Sequence, residues 1–253
     1  EEYYKGILDT IVEVQNPVYK PVISLGVGYL SFWGDVRNPI SSPLYGNVAG
    51  KLNVSNLVGR KHYFKGNIFA IYGDIFAHDP KLSYLMQQQP LPLDDLNNPI
   101  FVNSAFKTNI FQLGLSFEYN FGHVFGPAKR FKPYLSVGFS TIFFSPKGNF
   151  LNNGSGNFYY FWSDGTMRNF PENGPDAYRA RIVRFDSDYE TDLSGKDLYK
   201  QGSISQQTYS VPIDFGFDFY LSDRVNLRVG AAFNYCFSDK IDNYDSKIAK
   251  AQG

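Results

Sequence analysis

The residues best suited to chemistry form an acidic run in the second half of the chain. They are Asp186, Asp188, Glu190, Asp192 and Asp197. Their spacing resembles the start of a calcium-binding loop, which takes oxygen ligands at its first, third, fifth and seventh positions. Two features depart from such a loop, since Thr191 stands where glycine is needed and the twelfth position is aspartate instead of glutamate. We therefore expect a solvated acidic loop, with a metal site at 186–192 as the alternative.

Other reactive side chains are few and scattered. The three histidines, His62, His78 and His123, have no histidine or cysteine at zinc-ligand spacing, and Cys236 is the single cysteine. The sequence contains no phosphate-binding glycine loop, nucleophile elbow or zinc-protease motif. The 24 basic residues balance the 24 acidic residues, so the net charge gives no reason to expect nucleic acid as a partner. We predict a protein that is not an enzyme and has no cofactor.

Strict alternation of apolar and polar residues dominates the rest of the chain and indicates β-strands. From Tyr209 every second residue to Leu221 is apolar, and the residues between them include Ser210, Asp214 and Asp218. The same pattern resumes at Val225 after a short turn, which predicts a long hairpin. The segment 62–76 is ambiguous in phase. In all, seven strands are predicted, at 20–34, 44–57, 62–76, 106–121, 133–145, 205–221 and 225–239.

The connections between these strands indicate how the strands are arranged. Those after the second, fourth and sixth strands are short, and those after the third and fifth are long. This alternation is typical of an up-and-down transmembrane β-barrel with short periplasmic turns and long outer loops. Because bacterial single-chain barrels have even strand numbers, we expect eight strands with the closing strand, and any further domain, beyond residue 253. Residues 1–19 are then a periplasmic lead-in and 20–253 the barrel.

Alternation alone fits a soluble sandwich as well, so the direction of the apolar face needs its own argument. The apolar faces run unbroken for about 12 residues, which suits a tilted membrane strand and exceeds the usual soluble strand. The opposite face carries the small residues and charges that fill a narrow lumen. We predict a lumen network of Lys51, Glu118, Asp214, Asp218 and Arg228, which satisfies buried charges. A gated ion path is its functional alternative.

Several segments resemble the outer-membrane barrels of Bacteroidota, particularly the PorG-like family associated with type IX secretion, and more loosely the OmpA-like barrels. The similar segments are 28–35 (GYLSFWGD), 106–111 (FKTNIF), 117–121 (FEYNF), 133–138 (PYLSVG), 144–147 (FSPK), 221–224 (LSDR) and 237–242 (FSDKID). The loop 147–203 is longer than in the plainest members. The resemblance implies an accessory subunit of an envelope machine, either for type IX secretion or for outer-membrane protein assembly.

The expected function is thus a scaffold in the bacterial outer membrane, with the lipid bilayer and other outer-membrane or periplasmic subunits as partners. The alternative is a small-molecule channel or transporter. Clustered aromatic residues often anchor interfaces, so the outer-loop segment from Phe158 through Tyr159, Tyr160 and Phe161 to Trp162 is the predicted partner contact. Self-packing of the long loop is the alternative for these five residues.

Overall fold

A computed structural model describes thirteen segments of the chain. They are 21–34, 36, 47–58, 63–88, 91, 99, 101–123, 131–152, 156–186, 188–194, 205–221, 225–238 and 241. The described structure is all-β apart from one α-helix and two short 3₁₀ turns. No helix in these segments is long and apolar enough to cross a membrane.

Seven long strands form one antiparallel sheet. They are β1 (Val22–Leu30), β2 (Asn47–Val58), β3 (Phe64–Ala77), β4 (Phe106–Asn120), β5 (Phe131–Gly148), β11 (Gln207–Tyr220) and β12 (Asn226–Cys236). Each pairs with the next in chain order, so the sheet is an up-and-down meander. The all-β fold and the seven predicted strands are confirmed. The proposed lead-in, the turn at 222–224 and the chain after 241 lie outside the described residues.

The sheet is strongly curled into a half-barrel. Lys51 on β2 contacts Asp214 on β11, although three strands separate them in the sheet. A flat sheet with strands about 4.8 Å apart would hold these side chains about 19 Å from each other. The contact is therefore made across the concave side. No described residues pair β1 with β12, so the described part of the sheet has two edges.

Burial on the two faces is the reverse of that in a soluble sheet protein. On β4 the exposed side chains are Phe111, Leu113, Leu115 and Phe117, whereas Gln112 and Glu118 are buried. The same alternation holds on β5, β11 and β2, where apolar side chains lie on the convex face and polar ones on the concave face. Since strand side chains alternate with period two, one register places every member of each set on its side.

A cap covers the end of the half-barrel where the long connections lie. It contains α1 (Pro80–Gln87) and the two-residue strands β6 (Leu151–Asn152), β7 (Asn157–Phe158), β8 (Tyr160–Phe161), β9 (Met167–Arg168) and β10 (Thr191–Asp192). Asp79 caps α1 by accepting from the backbone N–H groups of Lys81 and Leu82, and Pro80 fills its first turn. The alternating pattern predicts a long loop between β3 and β4, and the structure corrects that prediction with α1.

An apolar core joins the cap to the upper part of the sheet. Its buried members are Val36, Ile75, Ala77, Met86, Val102, Phe106, Ile142, Phe144, Phe150, Leu193 and Ile241. Ile75 and Phe106 belong to strands, while Val36 and Ile241 come from the connections that follow β1 and β12. The concave side therefore changes from polar to apolar as it approaches the cap.

Candidate functional site

Four charged side chains meet on the concave face near the short-turn end of the sheet. The Arg228 guanidinium donates to both Glu118 oxygens at 2.8 and 2.9 Å and to both Asp218 oxygens at 2.7 and 2.8 Å. The Lys65 ammonium lies 3.0 Å from Glu118 and 3.2 Å from Asp218. The Glu118 side chain is completely buried. We call Lys65, Glu118, Asp218 and Arg228 the charged cluster.

Strand register brings the charged cluster together in two neighbouring pairs. Lys65 stands opposite Glu118 across β3 and β4, and Asp218 stands opposite Arg228 across β11 and β12. The curl then closes the distance between the pairs over β5. Each cation therefore contacts both carboxylates. Such pairing and hydrogen bonding offset the free-energy cost of burying charge.

Glycines on β11 and β12 make room for an aromatic ring beneath Arg228. The Arg228 guanidinium carbon lies 4.0 Å from the centre of the Tyr134 ring. A Cβ atom at Gly230 would lie 2.4 Å from the Tyr134 hydroxyl oxygen, and one at Gly216 would lie 3.0 Å from it. Backbone oxygens are as close, because Val229 O would lie 2.2 Å from a Cβ at Gly216 and Phe215 O 2.5 Å from one at Gly230. The two glycines are therefore required by the close approach of the facing strand and of Tyr134, whose ring contacts Arg228.

Polar side chains extend from the charged cluster toward the cap. Lys51 donates to Asp214 at 2.8 Å, and Asn67 links Asn53 to Glu118. One step closer to the cap, the Gln112 amide donates to Ser140 and Asn234 at 2.8 Å each. Interior polar groups thus satisfy one another between neighbouring strands and across as many as five strands, from β2 to β11.

The structure places all five residues of the network predicted from sequence on the concave face, in two separate groups. Glu118, Asp218 and Arg228 belong to the charged cluster, and Lys51 and Asp214 form a separate pair on the same face. Lys65 is the member that sequence reasoning missed, because the phase of the 62–76 segment was ambiguous. Two cations balance two carboxylates in the cluster. Its role is therefore structural, because it joins distant strands through ion pairs.

Comparisons with protein-family models, with curated proteins and with solved structures gave no match. The resemblance to PorG-like and OmpA-like barrels therefore stays a prediction that rests on the quoted segments.

The acidic run lies beside β6, and Asp186, Glu190 and Asp192 accept hydrogen bonds from protein groups. Asn149 donates to the Asp186 carboxylate at 2.7 Å, and one Glu190 oxygen accepts from the backbone N–H groups of Phe150 and Leu151. Asp192 accepts from the backbone of Ser194. Asp188, Glu190 and Asp192 are exposed to solvent, while Asp186 is half-buried. A solvated acidic loop therefore stays the expectation for this run. Asp188 donates its N–H to Asp186, and Asp197 lies outside the described residues.

The described residues contain no group of three or more His, Cys, Asp or Glu side chains arranged to hold a metal ion. In the acidic run, the Asp186 and Glu190 oxygens already accept hydrogen bonds from protein donors. Calcium binding at 186–192 therefore gains no support from the geometry.

The aromatic segment of the long loop packs inward at two of its five positions. Tyr159 is fully buried and Phe161 is 4% exposed. Gln87 of α1 fixes this segment by donating to the Tyr159 carbonyl at 2.8 Å and accepting from the Phe161 N–H at 3.0 Å. The prediction of a partner contact is corrected for Tyr159 and Phe161, because they form the interior of the cap. It stays a prediction for the half-buried Phe158, Tyr160 and Trp162.

His78 lies inside the cap, directly after β3. Its ring stacks on Phe185 at 4.4 Å between centroids and meets the Phe161 ring edge-on at 5.7 Å. Its Nε2 atom is buried and has no hydrogen-bond partner among the described residues. Burial lowers the pKa of His78 to about 4, against a smaller opposing effect of Asp79. The ring is therefore neutral at ordinary pH. His62 lies outside the described residues.

Proposed function

We propose that the chain forms the wall of a bacterial outer-membrane β-barrel and acts as a non-enzymatic scaffold in an envelope machine. The observation that carries this proposal is the inverted burial of the sheet. Val27 is 90% exposed and Leu115 is 62% exposed, while Glu118 and Ser140 are fully buried. Soluble monomers rarely expose apolar patches larger than a few hundred Å². Hydrocarbon is the solvent in which this convex face is stable.

The height of the exposed apolar face matches that of a membrane. On β11 the face runs from Tyr209 to Phe219. That span rises about 34 Å along the strand at about 3.4 Å per residue. With the tilt of about 35–45° found in outer-membrane barrels, the vertical height is about 26 Å, close to their usual apolar band of about 25 Å.

The filled interior favours a scaffold over the channel alternative. The charged cluster is neutral and mutually hydrogen-bonded, so it offers a passing ion no free ligand. Above it, the amide of Gln112 and the apolar core of the cap occupy the concave side. With its interior filled in this way, the proposed barrel offers its wall, its turns and its cap to other molecules.

Attribution to type IX secretion or to outer-membrane protein assembly is part of the same proposal and rests on the resemblance in the seven quoted segments. The cap offers a surface for such a partner. Tyr178 and Ile182, on the loop that follows β9, are 84% and 68% exposed. Exposed aromatic and aliphatic side chains on a structured loop are typical anchors of protein interfaces.

Tryptophan quenching tests the membrane orientation at two neighbouring residues. In a protein lacking Trp33 and Trp162, we would compare Leu135→Trp with Tyr134→Trp after reconstitution into vesicles of brominated phosphatidylcholine. Leu135 is 42% exposed on the convex face and Tyr134 is 7% exposed on the concave face, at the same height. We expect strong quenching at 135 and weak quenching at 134. Equal quenching, or a protein that stays dissolved without detergent, would refute the proposal.

Purification from native membranes in a mild detergent tests the scaffold role. We expect subunits of one envelope machine to co-purify in fixed proportion and to be lost when Tyr178 and Ile182 are both replaced by serine. The control replaces Arg179 with glutamine in the same loop, because its contact with Asp176 is long at 3.7 Å and exposed. Recovery of the folded membrane protein without any co-purifying subunit would contradict the scaffold role but not the proposed barrel.

A further inference from the structure

A groove of 490 Å³ runs along the convex face of the sheet near the cap. Its lower part is aromatic, formed by Tyr72, Phe111 and Phe143, which are 42–63% exposed. Phe111 and Phe143 stand opposite each other on β4 and β5 with their rings stacked at 6.3 Å. The rest of the lining is polar: Gln207 stands opposite Phe143, and Asn109 and Ser145 lie two residues closer to the cap. One groove thus passes from aromatic rings to amides and a hydroxyl.

Two lysines stand directly above the polar part. Lys107 and Lys147 are opposite each other in the β4–β5 register, two residues beyond Asn109 and Ser145 on the same face. That step is about 7 Å along the strands. Like charges at directly opposed positions destabilise a sheet, so this arrangement calls for an anion between or beside them.

Among the described residues, a carboxylate pairs with Lys107 and none pairs with Lys147. Asp74 on β3 pairs with Lys107 at 3.0 Å. Lys147 stands opposite Asp192 of β10 but has no carboxylate within 4.0 Å among the described residues, and Asp192 accepts from the Ser194 backbone. The site therefore keeps a cation available at the edge of the apolar face.

We propose that this groove binds a phosphate-bearing membrane lipid. Its phosphate lies at Lys147, its polar head contacts Asn109 and Gln207, and an acyl chain lies over Phe111 and Phe143. The inference rests on the proposed function, because it needs the convex face to touch lipid. It adds a defined binding site with a preference for anionic headgroups, which a plain apolar wall does not have.

Native mass spectrometry in a neutral detergent tests the site with known lipids. The protein is offered equal amounts of phosphatidylglycerol and phosphatidylcholine, and the number of lipids retained is counted. We expect phosphatidylglycerol to be retained about fivefold more, and Lys147→Gln to remove that preference, since one basic residue near a membrane surface changes anionic-lipid binding by about fivefold. Phe143→Ala should weaken retention of both lipids equally. The control is Lys81→Gln on α1, which lies outside the groove and should retain the wild-type preference.

The outcomes separate this proposal from the barrel itself. Equal retention of the two lipids, or a Lys147→Gln variant that behaves like wild type, overturns the site and leaves the barrel intact. Displacement of phosphatidylglycerol by millimolar inorganic phosphate overturns the lipid assignment, because it identifies a site for free phosphate. A protein that retains neither lipid and stays dissolved without detergent overturns the site and the proposed function together.

Discussion

At the scale of single residues, the charged cluster stabilises the curl because each charge has partners on distant strands. Arg228 joins β12 to β4 through Glu118, and Lys65 joins β3 to β11 through Asp218. These contacts exist only when the sheet is bent. Removing one charge therefore does more than delete a hydrogen bond, because it leaves the opposite charges buried without balance.

Glu118→Gln is the substitution that isolates this effect. It leaves Lys65 and Arg228 facing Asp218 alone, and breaking a buried pair in this way costs about 3–5 kcal/mol. We expect the free energy of unfolding, measured with urea in detergent or vesicles by tryptophan fluorescence, to fall by that amount. Adding Lys65→Met restores charge balance and should recover part of the loss.

The control for this measurement is an ion pair at the surface. Asp164 contacts Arg168 at 2.8 Å in the cap, with side-chain exposures of 46% and 22%. Asp164→Asn should lower the free energy of unfolding far less than Glu118→Gln does, since exposed pairs contribute little. Equal effects of the two substitutions would show that the charged cluster does not stabilise the curled sheet.

At the scale of elements, periodicity predicted the long strands, whose pattern repeats, and missed the cap, whose sequence has no repeating pattern. Strands such as β11 could be located within two residues at each end, because an unbroken apolar face fixes both type and extent. The phase of β3 was ambiguous because its concave side is polar at Asn67 but apolar at Ile71 and Ile75, where the cap begins. That ambiguity hid Lys65.

The cap was harder to predict because its contacts are long-range. The Asp79-Pro80 pair was an available signal for the start of α1, since aspartate caps helices and proline suits the first turn. The inward packing of Tyr159 had no comparable signal. It depends on Gln87, 72 residues earlier, which no local pattern connects to it.

His78 makes the cap sensitive to acid. Its pKa is lowered to about 4 in the folded cap by burial, while an exposed histidine titrates near 6.5. Above pH 6.5 the ring is neutral in both states and the cap has its full stability. As pH falls from 6.5 toward 4, His78 becomes protonated in the opened cap but stays neutral in the closed cap. The free energy of opening the cap therefore declines by up to about 1.4 kcal/mol per pH unit.

Hydrogen exchange of the cap backbone between pH 7.5 and 4.5, corrected for the intrinsic pH dependence of exchange, measures this loss. We expect protection around 158–161 to fall with pH in the native protein, and the fall to be much smaller in His78→Phe, which preserves the stacking on Phe185. His62 and His123 are present in both proteins and serve as an internal control. The same pH dependence in both would assign it to other groups.

At the scale of the whole molecule, the apolar core beneath the cap includes residues that follow each of the two edge strands. Val36 follows β1 and Ile241 follows β12, and both are buried in the same apolar core. Thr108 on β4 holds the second connection by donating to the Ile241 carbonyl at 2.8 Å. The two edge strands are thus linked through the core, although no described residues pair them directly.

Because the concave side is filled, we predict that the protein carries no steady ion current in planar bilayers. An ion that followed the concave side would have to pass the buried rings of Phe106 and Phe144 and then the neutral charged cluster. We expect no steady conductance from the native protein, while an open porin inserted in the same way gives constant current steps. Replacing Phe106 and Phe144 with serine removes the largest obstacles and should allow brief openings. A steady current from the native protein, unchanged by that double substitution, would show that ions take another path and would restore the channel as the better function.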